Sequence, residues 1–150
     1  MSEKTDLYSR ISECNREIGI IRQDIAGMQQ CINQMRLHAD AFETQKEDVN
    51  TYDMTVGDTW RKQLCDGAVE IQKSLGLGIG KASSQCENVI TELNGCIATA
   101  NRRITSLQNE IASCQSRIAA IEAEERAAAE REAAARAAAA AARQTPRRAR

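Results

Sequence analysis

Six cysteines, one histidine and a glycine-rich run ending in lysine are the residues of this 150-residue chain whose types could do chemistry. The cysteines stand at 14, 31, 65, 86, 96 and 114. A zinc site draws ligands from close pairs such as C-x2-C, and no two of these cysteines are that near in sequence. His38 is seven residues from Cys31, whereas a Cys–His nucleophilic pair needs direct contact and an orienting third group. The run Gly76-Leu77-Gly78-Ile79-Gly80-Lys81 has the flavour of a phosphate loop. That loop requires G-x-x-x-x-G-K-[ST], because its backbone amides curl round the phosphates. Here the first glycine would be Leu75 and the hydroxyl residue would be Ala82. No acid, base and nucleophile constellation is legible, so the sequence predicts no enzyme, no cofactor and no metal site.

Disulfides meet a geometric objection. In a helical hairpin Cys14 could approach Cys96, and Cys31 could approach Cys86. Cys14 and Cys31 are 17 residues apart but Cys86 and Cys96 only 10, a mismatch of about 10 Å on regular helices. Bridges need Cα atoms within about 7 Å. The preferred reading is free thiols acting as small apolar core residues, as in a reducing cytosol at synthesis.

Composition favours long helices. Lys plus Arg number 20 and Asp plus Glu 21, which argues against a broad nucleic-acid surface. No apolar run reaches 18 residues, so no membrane insertion is expected. The polar start MSEKTDLYSR lacks the apolar stretch of a Sec signal. The aromatics are Tyr8, Phe42, Tyr52 and Trp60, and the single proline is Pro146.

Apolar residues from Leu7 through Ile11, Cys14, Ile18, Ile21, Ile25, Met28, Ile32, Met35, Ala39 and Phe42 step alternately by four and three. This heptad seam predicts a helix over about 6–49, capped at Thr5 or Asp6. A second seam runs from Cys86 to Ile121. Between them Asn50 to Asp58 read as a loop, with a new helix from about 59. The glycines at 76, 78 and 80 mark a kink, a break or a very close helix contact. Residues 122–143 form an Ala-rich helical arm laced with Glu–Arg spacings of four. Residues 144–150 read as a basic, disordered tail.

The expected fold is an all-α, coiled-coil-like antiparallel hairpin over 1–121. Helix one spans roughly 65 Å. A reversal near residue 55 sets Leu7 beside residue 103. Leu107, Ile111, Cys114, Ile118 and Ile121 then have no partner within the hairpin and form an exposed stripe for another helical chain. A three-helix layout, with a short helix over 60–75, stands as the lesser alternative. Two hairpins joined in a four-helix bundle would bury more apolar surface than one.

The segments LYSRISECNREIGIIRQDI, VGDTWRKQL and ITELNGCIATANRRITSLQNEIASCQSRI resemble the small α-helical WXG or ESAT-like proteins of Gram-positive type VII secretion loci. They are most similar to the YwqH-like proteins encoded beside LXG-toxin genes. In that group a W-x-G turn joins two long helices. Trp60 matches the tryptophan, but Lys62 stands where glycine belongs. Gly57 and Gly67 are the nearest glycines on either side. Trp60 reads either as a plug closing the hairpin or as part of a recognition turn. The Y-x-x-x-[DE] or F-x-x-x-D export signal has no match after Tyr8, Phe42 or Tyr52. The resemblance implies a chaperone or targeting factor that binds the helical N-terminal region of an LXG toxin. A second small helical protein could join it, as could a homodimeric form. It also implies cytoplasmic synthesis, with export alongside the toxin. A self-associating coiled-coil scaffold with no secretion role is the competing expectation.

Overall fold

The computed structural model describes residues 2–53 and 62–144, with the backbone alone for Lys62 and Gln63. Two helices, α1 (Glu3–Thr51) and α2 (Lys62–Gln144), pack against each other as an all-α hairpin. No strand occurs among the described residues.

Local chemistry accounts for the ends. The Thr5 backbone N–H donates to Ser2 Oγ at 3.2 Å, and Asp6 N–H to the Ser2 carbonyl at 3.1 Å. Ser2 is therefore the N-cap, not Thr5 or Asp6, and helix α1 starts three residues earlier than the heptad suggested. Glu3 and Asp6 place negative charge in the first turn, where the helix dipole favours it. At the other end, the Gln72 carboxamide reaches from α2 and donates to the carbonyls of Val49 and Tyr52. Val49 lies in the last turn of α1, where carbonyls lack helical partners.

Both seams persist and extend. On α1 the less exposed positions continue past Phe42 to Lys46 and Val49 in unbroken four-three steps. On α2 they reach back from Cys86 through Ser83, Ile79, Gly76, Gln72 and Val69 to Cys65. The glycines do not break the helix, so the short separate helix over 60–75 does not form. Trp60 and Gly57 lie outside the described residues, as do most of the anticipated loop and nearly all of the basic tail.

The chain divides into two compact units, Met1–Gly19 with Ile104–Arg150, and Ile20–Arg103. The core of the first holds Cys14, Ile18, Ile104, Leu107, Cys114 and Ile118. The second is built on Ile32, Ala39 and Ile90, together with Gly76 and the buried Ser83. Ala-rich residues 123–144 complete α2 as an exposed helix, with an Arg136–Glu132 pair at the helical spacing of four.

Candidate helix-docking face

In the first unit, ion pairs report which residues face each other. Arg10 Nε–H donates to Glu110 Oε1 at 2.5 Å, and its Nη2 to Oε2 at 3.1 Å. Arg117 grips Glu3 in the same two-pronged way, at 2.7 and 3.2 Å. Lys4 lies 3.2 Å from both Glu122 and Glu125. Hydrogen bonding to Arg117 holds the Glu3 carboxyl below its ordinary range. Glu125 and Glu122 hold the Lys4 ammonium above its own.

These pairs overturn the expected register. A reversal near residue 55 would set Arg10 beside residue 100, ten residues short of its actual partner Glu110. The physical reason is charge pairing in the first unit, where Arg10 meets Glu110 and Arg117 meets Glu3 across the two helices. In the second unit Gln72 meets Val49 and Tyr52, so there too the facing position on α2 comes later than a reversal near residue 55 would set it. Leu107 is 0 % exposed, Cys114 and Ile118 are buried, and Ile111 and Ile121 are half-buried. The stripe from Leu107 to Ile121 is the first unit's own core rather than a free surface.

Two of the six cysteines follow the core reading. All six are free thiols, with Cys14 and Cys114 buried and Cys96 exposed. Burial pushes the Cys14 thiol up, against the opposing pull of Arg10. A raised thiol is a poor nucleophile. Among the described residues no cluster of histidine, cysteine and carboxylate could hold a metal ion. Nor is any described helix long and apolar enough to cross a membrane.

The glycine run proves to be a close helix contact in the second unit. A Cβ at Gly76 would overlap the Asn50 carboxamide, and one at Gly80 would sit 3.5 Å from Lys46 Nζ. Gly78 points into open space. Gly67 is likewise open and exposed, and carries no turn.

A different apolar stripe remains uncovered. Leu64, Ile71, Leu75 and Val89 are exposed, Ile71 by 62 %. With Ala68, Gly78, Ala82, Gln85, Glu92 and Cys96 they occupy ten successive positions at four-three spacing, immediately beside the α2 seam. Glu92 is the single charge among the ten. The flank on the other side of the seam carries Asp66, Glu70, Lys73, Ser84, Glu87 and Asn94, with Leu77 as its one large apolar residue. Toward Arg103 the stripe merges with an open groove between the two helices, lined by Ile21, Asp24, Met28, Glu92 and Cys96. Sequence reasoning missed this stripe because the small residues Ala68, Gly78 and Ala82 alternate with its large ones. Its signal was the repeated seven-residue step Ala68, Leu75, Ala82, Val89, Cys96.

No family model, curated protein or solved structure matches the chain.

Proposed function

We propose that this chain is a non-catalytic partner protein that works by laying its hairpin against the helices of another protein. The observation that carries this reading is the exposed Leu64–Val89 stripe beside the α2 seam. An amphipathic helix with a second apolar face is built to be covered by further helices. Burying such side chains contributes about 25 cal/mol per Å2 of apolar area, before ordering costs.

The finer reading rests on the sequence resemblance to the small helical proteins of type VII secretion loci. On that reading the partner is the helical N-terminal region of an LXG-type toxin. The chain acts as its chaperone or targeting factor, is made in the cytoplasm, and is exported with it. The docking residues in this proposal are Leu64, Ile71, Leu75 and Val89, in place of the Leu107–Ile121 stripe.

The test is affinity purification of tagged protein from the organism that encodes it, with mass spectrometry of what accompanies it. A stoichiometric protein with a long helical N-terminal segment fused to a toxin domain is the expected result. Ile71→Glu with Leu75→Glu should release it while circular dichroism stays helical. Retention of that protein by the double variant would remove the stripe from the proposal. Its absence from wild-type preparations would remove the toxin.

A further inference from the structure

We infer that a groove between the two helices of the second unit binds the phosphate group of a small organic molecule. Lys46 from α1 and Lys81, Ser84 and Gln85 from α2 line it. The two lysines lie outside the Leu64–Val89 stripe, so this stands or falls separately from the helix-docking reading.

Lys46 is out of place on a helical seam. It stands on the four-three pattern between Phe42 and Val49, where packing calls for an apolar side chain. Gly80 makes room for it. Lys46 Cδ, Cε and Nζ lie 3.8, 3.6 and 3.5 Å from the position a Gly80 Cβ would take. The end of the lysine therefore crosses to α2 over bare backbone. Its stem is sheltered while its charged end stays in reach of solvent, and 40 % of the side chain is exposed.

The crossing brings like charges to one groove. Lys81 follows Gly80 and lines the same space. Among the described residues, no carboxylate lines the groove, and Lys81 has no ion-pair partner. Glu43 lies 4.0 Å from Lys46 Nζ, but it lines the neighbouring groove instead, with Glu47. Two ammonium groups, a hydroxyl and a carboxamide form an array of hydrogen-bond donors. A phosphate monoester brings up to two negative charges and three acceptor oxygens to such an array. Residues 76–85 lie inside α2, so their backbone N–H groups are spent on the helix. The glycines here do not cradle the anion as a phosphate loop would. They clear the space that the side chains use.

The groove is larger than a phosphate needs. It holds about 510 Å3, within the range of about 300–1,000 Å3 of small-molecule sites. Leu77, 71 % exposed, gives the remainder an apolar wall. The ligand therefore carries an organic body beside its phosphate.

NMR titration of the full-length protein with phenyl phosphate, inorganic phosphate and phenol tests this. Phenyl phosphate should saturate, with shifts centred on Lys46, Gly80, Lys81 and Ser84. It should bind at least about fivefold tighter than inorganic phosphate, and phenol should not bind. Lys81→Gln and Lys46→Met should each weaken phenyl phosphate about tenfold or more, the scale of one charge-assisted hydrogen bond. Lys46→Met sets an apolar side chain on the seam, so its melting temperature should hold or rise and unfolding cannot explain the loss. Lys73 pairs with Glu70 at 3.6 Å, outside the groove. Lys73→Gln removes the same charge and should change affinity by no more than about twofold. Glu43→Gln should tighten binding, because it removes a carboxylate that competes for Lys46. No saturable shift with phenyl phosphate at millimolar concentration would overturn the inference. So would equal losses from Lys73→Gln and Lys81→Gln, which mark a general effect of charge. Equal affinity for inorganic and phenyl phosphate would overturn the organic body and assign the groove to the free anion.

Discussion

Arg10 on α1 and Glu110 on α2 are locked in a two-pronged ion pair, at 2.5 and 3.1 Å, across one hundred residues of sequence. Planar guanidinium and carboxylate groups meet this way in one orientation only. The pair therefore selects a register among the many that a monotonous heptad seam would tolerate. Glu13 adds a second carboxylate to the same guanidinium at 3.1 Å. Reversing the charge at either end, Arg10→Glu or Glu110→Arg, should lower the melting temperature. Exchanging both should recover much of the loss. Thermal denaturation of the three variants checks this, and a double exchange no better than the singles would argue against a register role.

Leu107 is fully buried and Leu37 is 70 % exposed. Leu107→Ala should cost about 2–5 kcal/mol, whereas Leu37→Ala should stay within about 0.5 kcal/mol. Urea unfolding separates the two. Ile111→Glu with Ile118→Glu should melt the first unit, because it drives two carboxylates into that unit's own seam. A fully helical double variant would restore the view that this stripe faces a partner.

The glycines invite a double-mutant cycle. Gly78→Ala meets open space and should stabilise the helix by about 1 kcal/mol. Gly76→Ala forces the Asn50 carboxamide aside and should gain less. In an Asn50→Ala background the two substitutions should become equal. Equal gains in the unmodified background would show that the Asn50 contact is immaterial.

Acid should loosen the Glu3–Arg117 clasp. Arg117 holds the Glu3 carboxyl below its ordinary value, so the unfolded chain takes up that proton first. Stability from this group is present above the unfolded value and is lost as pH falls through the lower folded one. Denaturant titrations of wild type and Glu3→Gln should differ at neutral pH and converge in acid. A gap that persists in acid would assign the effect to something other than charge.

The thiols should react in order of exposure. Cys96 is exposed, while Cys14 and Cys114 are buried. Iodoacetamide should label Cys96 first and the buried pair last, read by peptide mass mapping. Cys14 also titrates above the ordinary thiol range. Its contribution to stability is present below the unfolded value and is lost as pH rises through the folded one. Early labelling of Cys14 would contradict its burial.

Helix identity, the two seams and the free cysteines were legible from residue order, because heptad spacing is a local property that survives without knowledge of the partner. The Ala-rich arm was equally plain, since propensity alone sustains it. Register was not legible. A seam of Ile, Met, Leu and Cys repeats every seven residues, and sliding one helix by a heptad leaves its pattern almost unchanged. Only the long-range contacts distinguish those registers, namely Arg10 with Glu110, Arg117 with Glu3, and Gly76 beneath Asn50. They moved the Leu107–Ile121 stripe from the surface into the core, and left the stripe around Leu75 uncovered. The sequence by itself determined that this chain makes two long helices with more apolar surface than one seam can hide. The tertiary structure decided which surface is hidden, because burial depends on what lies opposite, and charge pairing and glycine clearance set that.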